Sequence, residues 1–371
     1  MNIQPADAVP LDTTNIPASV SPVGHLEPGP TTQNVPLNTV GAPKTKPPRI
    51  PALDFTKGTL VLIMVLYHWM NYFVAVDGTA YKYLRFLTPS FTFITGFLIS
   101  SVYLSRADES RQRTPKRLLL RGLKLFCIVL LLNLAVYTLH TGQRNGRLPD
   151  QSPGGVTAAL LTGSTPVAFS VLVPISYLLI LSAGLFVISN YFRGVYHLAS
   201  AVSVALSLIL AFNGRNSGYV QILSIGMLGI SVGYVSINHI NAMSRNRAAI
   251  LGAYAIYLAA ITFLDDTYAL QIVGVCLSLL AIYSIGNSGL AANRPGNLVV
   301  LLGKYSLFAY IAQIAILQAL HKGLQLVGTV TGASGAAFLL CTVCTVLSVA
   351  LLDHARARSR STNRLYTAIF G

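Results

Sequence analysis

Charged side chains are scarce in this 371-residue chain: 10% of its residues are Asp, Glu, Lys or Arg, where soluble domains carry about a quarter. With 53% hydrophobic residues and a mean hydropathy of +0.61, that shortage excludes an ordinary soluble globular domain. Acidic residues are the scarcer sign, 11 against 26 basic, which leaves a formal charge of +15. Nucleic acid is not the partner this implies, because the basic residues fall in alternate short connections instead of on one surface. Cysteine is limited to Cys127, Cys276, Cys341 and Cys344, all within apolar runs, so thiols are expected and not disulfides. Cys341 and Cys344 form a CxxC, but inside an apolar helix that spacing reads as packing rather than redox chemistry. Zinc-ligand spacing, a phosphate-binding loop, a Ser-His-Asp array and a dinucleotide fingerprint are also lacking, and no metal is expected.

Long apolar runs are what the chain has in abundance. Segments near 59–76, 86–104, 118–139, 166–189, 195–212, 219–237, 248–264, 268–285, 298–320 and 328–352 are each long enough to span a bilayer as a helix. The expected fold is an all-α integral membrane protein: about ten transmembrane helices bundled around a central polar cavity. Lys44, Lys46 and Arg49 precede the first run, and Arg106, Arg111, Arg113, Lys116 and Arg117 lie between the second and third. Arg193, Arg245, Arg247, Arg294 and the Arg356–Arg364 group occupy the later even gaps and the tail. The positive-inside rule then puts both termini in the cytoplasm, with the inner (plasma) membrane as the expected location.

Residues 1–48 are rich in Pro, Thr, Asn and Gly and read as a disordered cytoplasmic tail, without the pattern of a secretory signal. A transmembrane domain is expected over 49–354, and a basic cytoplasmic tail over 355–371. The stretch from His140 to Thr165 is the longest connection and reads as an outer-face connector, with a lid as the alternative. Asp265 and Asp266 read as solvated loop charge.

Within the first run, Lys57 and His68 are eleven residues apart. Eleven steps of about 100° make three turns plus roughly 20°, so both side chains share one helical face, with His68 about 16 Å deeper. If Lys57 marks the water boundary, His68 lies near the middle of a hydrocarbon layer about 30 Å thick. An imidazole there is costly unless it faces protein or water, which makes it a functional-site candidate; a buried ring bonded to a neighbouring helix is the plainer alternative. Asp54 reads as a cap of the first helix, with orientation of Lys57 as a second role.

The segment Leu53–His68 resembles the opening helix of the acyltransferase type 3 family of membrane proteins: Leu-Asp, a basic residue with Gly, then aliphatics ending at a histidine. Ser90-Phe91-Thr92-Phe93-Ile94-Thr95-Gly96-Phe97-Leu98-Ile99 is similar to the family's Phe-rich run ending in Ser-Gly-Phe-Leu-Ile, with Thr95 in place of serine. Arg117 and Arg121 match its paired basic residues, and Leu302-Gly303-Lys304-Tyr305-Ser306 through Tyr310 resembles its Leu-Gly-x-x-Ser-x-x-x-Tyr segment. Two further positions depart from the family pattern: Lys57 stands where arginine is usual, and Gln313 stands near a frequent histidine. Ser306-Leu307, with Leu228-Gly229 and Gly233, also resembles the related glucan succinyltransferase and heparan acetyltransferase branches.

The resemblance implies acyl transfer from acetyl-CoA or another acyl-CoA to a hydroxyl or amine of a glycan, lipid or small molecule. His68 would serve as general base or would itself carry the acyl group. Thr95 and Tyr310 join it as catalytic candidates. Lys57, Arg117, Arg121, Gly96 and Lys304 are the candidates for holding the donor, the cations at its phosphates and Gly96 beside its arm. Topology-setting charge is the competing account of Arg117 and Arg121, and helix packing that of Thr95 and Gly96. Two further readings stay open: a proton-coupled transporter using His68 as a relay, and an inactive family member acting as an assembly partner. The bilayer is the one partner composition itself demands; oligomeric state is not legible.

Overall fold

A backbone in hydrocarbon must satisfy its own N–H and C=O groups, which is why apolar runs of this length fold as helices. A computed structural model describes residues 50–74, 78–104, 113–138, 169, 171–192, 194–215, 217–264, 267–327 and 334–370. The segment 1–48, the connection around 140–165, Asp265–Asp266 and the basic residues Arg106, Arg111 and Arg193 lie outside the described residues.

Regular structure among the described residues is entirely helical. The first half comprises α1 (Pro51–Trp69), α2 (Gly78–Tyr81), α3 (Leu87–Leu98), α4 (Arg113–Thr138), α5 (Leu172–Ile188), α6 (Val195–Phe212) and α7 (Gly218–Val232). The second comprises α8 (Ile237–Ser244), α9 (Arg247–Phe263), α10 (Tyr268–Gly286), α11 (Arg294–Lys304), α12 (Ser306–Val327), α13 (Ser334–Arg358) and α14 (Arg360–Phe370).

Six described stretches are long and apolar enough to cross a membrane, or up to seven if α7 and α8, bent by 101° at their break, count as one. About ten were expected, and particular residues explain the difference. Asp54, Lys57 and His68 dilute the hydropathy of α1, and α5 and α9 are apolar but short. The expected run 298–320 is interrupted at Tyr305, which leaves the helical region at φ −114°, ψ 29° and separates α11 from α12.

α1 starts with Pro51 in its first turn, where the missing N–H has no partner to lose. Its N-cap is Ile50, with no side-chain cap, so the capping expected of Asp54 is not made. α1 then packs against α3, α10, α11, α12 and α13. The crossing with α11 is backbone on backbone: a Cβ at Gly58 would overlap the Val299 carbonyl oxygen, and one at Gly303 the Asp54 carbonyl oxygen. Beside this unit α3 crosses α7 in the same way, Gly96 against the Gly226 carbonyl and Gly229 against that of Phe93. Small residues at both crossings let helices approach closely enough for dispersion to hold them in lipid, where burial against another apolar surface supplies little driving force.

Both α1 and α3 pass into π-helix at their C-terminal ends, over Met70–Val74 and Ile99–Leu104. Side chains claim the carbonyls at these points: Asn71 Nδ2 donates to Tyr67 O at 2.9 Å, and Ser101 Oγ to Phe97 O at 2.7 Å. Such local bonds compete with the α-helical ladder and favour its widening. Buried hydroxyls also tie α6, α7 and α10 together, where Ser207 donates to Ser224 at 3.0 Å and Ser224 bonds Tyr268 at 2.5 Å.

Candidate functional site

His68 sits in the last turn of α1, just before the π segment, and is 9% exposed. Its ring is edge-on to Tyr67 at 5.3 Å and tilted against Tyr310 of α12 at 6.3 Å between centroids. Tyr310 is 3% exposed and boxed by Phe91 at 6.5 Å and Phe169 at 6.2 Å. One turn further along α12, Gln313 is fully buried, and neither of its amide atoms has a hydrogen-bond partner among the described residues. A buried amide left unsatisfied costs about 1–3 kcal/mol, so this position is poised to bond whatever enters beside it.

A second locus is a half-open cavity of about 290 Å³. Thr95, Leu98, Val102 and Tyr103 line it from α3 and its π extension, Arg121 and Lys124 from α4, and Leu307 from α12. The Arg121 guanidinium lies 5.2 Å over the Tyr103 ring, which fixes the cation at the wall. Thr95 donates its hydroxyl to Phe91 O at 2.9 Å, so its oxygen remains an acceptor. The two loci are neighbours through shared helices. Phe91, one turn from Thr95, touches Tyr310, and Leu307 precedes Tyr310 by three residues, a rise of about 5 Å.

The structure therefore brings Thr95 to Arg121 and His68 to Tyr310, and disperses the other candidates. Lys57 forms an ion pair with Asp54 at 2.5 Å, both largely buried, so Asp54 takes the orienting role in place of the cap. Gly96 faces α7 at the close crossing described above. Arg117 points outward, exposed, one turn before Arg121. Lys304 bonds Asp353 Oδ1 at 2.7 Å, and the adjacent Tyr305 hydroxyl donates to the same oxygen at 2.5 Å. Tyr305 is thus separated from Tyr310, although the sequence places both on one apolar run. The Lys304–Asp353 pair is about one-third exposed on each side, and Lys304→Met is expected to lower stability by no more than about 1 kcal/mol, read as a small shift in Tm.

Two residues of these loci carried no assignment from the sequence. Gln313 stands in the sequence only as a departure from the family pattern, near a frequent histidine. Lys124 was readable as a continuation of the Arg117 and Arg121 face, seven residues beyond the first and three beyond the second. Among the described residues, no group of three or more His, Cys, Asp or Glu side chains is placed to hold a metal ion, and all four cysteines are free thiols.

Apolar spanning helices around a buried His–Tyr pair, with a cation-walled cavity next to it, define an integral membrane protein with an internal site. Residues 50–353 match the family model described as an acyltransferase domain, and the chain belongs to the acyltransferase type 3 family. Membrane acyl transfer is the activity class that membership carries. No curated protein and no solved structure matches the chain.

Proposed function

We propose that this protein moves an acyl group, acetyl or longer, from acyl-CoA to a hydroxyl or amine of a glycan, lipid or small molecule. The donor enters from the cytoplasm, where the termini and the Lys57 end of α1 lie, and the bundle crosses the inner membrane about ten times. The observation that carries this reading is the cavity: cations on α4, Thr95 and Leu307 line it, and Leu307 stands about one helical turn before Tyr310, the partner of His68. From Thr95 to Tyr103 α3 and its π extension rise roughly 10 Å, a wall along which an extended pantetheine arm lies with its phosphates at Arg121 and its thioester pointing toward Tyr310.

At the inner end, His68 removes the proton of the acceptor O–H or N–H as that atom attacks the thioester carbonyl. The new acyl bond forms, the carbon–sulfur bond breaks, and the departing thiolate takes the proton back from the imidazolium. Gln313 offers an amide donor for the charge on the carbonyl oxygen during attack. A route in which His68 itself is acylated uses the same groups in two steps. Burial of His68 beside Tyr67 and Tyr310 supports either route, because water is kept from the thioester.

Purified protein in detergent micelles is expected to release free thiol from acetyl-CoA when an acceptor is present. Arg121→Ala is expected to raise KM for the donor about tenfold, most strongly at low salt, since one charge-assisted phosphate contact is lost. An unchanged KM would return Arg121 to a topological role. Proton-coupled uptake of a solute without thiol release would favour a transporter instead.

A further inference from the structure

The cavity has a wall that the family-matched region does not supply. The match ends at residue 353, whereas Ile369 and Phe370, in the last turn of α14, line the cavity. Arg356 of α13 anchors the helix by donating from two guanidinium nitrogens to Asn363 Oδ1, at 3.1 and 2.7 Å, while lying 4.0 Å over the Tyr366 ring. Edge-on contacts follow, Tyr366 with Tyr305 at 5.4 Å and Phe370 with Phe308 at 6.3 Å.

The remaining attachment is polar. Lys124 Nζ, itself at the cavity wall, donates to the Ala368 carbonyl at 3.1 Å. Carbonyls in a helix's last turn lack intrahelical donors, and a cation satisfies them well. They are nonetheless neutral acceptors, and an ammonium bonds an anionic phosphate oxygen more strongly. The sequence of α14 also lets its end move without exposing apolar surface to water. Arg360, Asn363 and Arg364 are polar, while Leu365, Tyr366, Ile369 and Phe370 are apolar, so the released turn can lie in the membrane interface.

We propose that Lys124 is a second phosphate-binding residue for the donor, held by the Ala368 carbonyl until a phosphate replaces it, so that donor entry releases the last turn of α14. The inference rests on the acyl-CoA reading above. Arg121 supplies the fixed cation and Lys124 the exchangeable one, and Ile369 and Phe370 move aside as the arm enters.

The test uses the full chain in micelles with two probes: coenzyme A, and pantetheine, which has the same arm without phosphate. K124Q is expected to weaken coenzyme A binding about tenfold and to flatten its salt dependence, with pantetheine affinity unchanged and K124R restoring most of the loss. In an Ile369→Cys variant, with both probes capped as S-methyl thioethers so that neither consumes the reagent, saturating S-methyl coenzyme A is expected to speed maleimide labelling of residue 369 severalfold, and S-methyl pantetheine is not. Equal coenzyme A affinity in wild type and K124Q, an equal loss for both probes, or labelling indifferent to S-methyl coenzyme A would each overturn the exchange while leaving the donor reading intact. A folded wild type that binds no coenzyme A would overturn the donor reading and the exchange together.

Discussion

Replacing His68 by alanine is expected to lower acyl transfer by about 10²- to 10⁴-fold, the range that a positioned general base contributes. The imidazole is a single buried side chain beside Tyr67 and Tyr310, and its removal leaves a small void between those rings. The variant should therefore remain folded, eluting as wild type in size exclusion with a modestly lowered Tm. Thiol release from acetyl-CoA is the readout. Turnover within a factor of two of wild type would remove His68 from the mechanism. A trapped acyl-enzyme in the wild type, absent from the variant, would select the covalent route over direct attack.

The second large effect concerns the fold itself. Gly303→Val is expected to destabilise the protein by several kcal/mol, because the added carbons would overlap the Asp54 carbonyl, a backbone atom that cannot rotate away. α1 and α11 would be forced apart, which disturbs Lys57, Asp54 and the start of α12 together. Thermal unfolding in micelles provides the measurement, with Gly323→Ala as the control. A Cβ at Gly323 meets nothing within 4 Å, so that change should leave Tm equal or slightly raised. Equal behaviour of the two variants would show that the crossing tolerates more separation than its contacts imply.

His68 and Gly303 differ in how far the sequence alone exposes them. His68 was legible from spacing and depth, since a histidine eleven residues along one apolar helix face is unusual whatever surrounds it. Gly303 was visible only as a letter in a motif. Its importance lies in Gly58 and Asp54, about 250 residues earlier in the chain, whose backbone it touches. The same distinction separates the donor candidates. Lys57, Arg121 and Lys304 all read as cations at a helix end. Asp54 and Asp353 engage Lys57 and Lys304, and only Arg121 of the three reaches the cavity. No periodicity rule distinguishes an engaged cation from an available one when its partner lies on another helix, as Asp353 does.

The apolar runs by themselves determined that this chain is helical and lies in a membrane, because hydrocarbon leaves an unpaired backbone no other partner. Four short motifs determined the family, and helical geometry placed His68 about 16 Å beyond Lys57. Tertiary structure alone decided that Tyr305 breaks the ninth run, that Gly96 faces α7, and that Thr95, Arg121, Lys124 and the end of α14 share one cavity. The reason is one of range: helix formation and depth follow from bonds within about four residues, whereas a cavity is set by which helices cross, and crossings depend on side-chain volumes far apart in the chain.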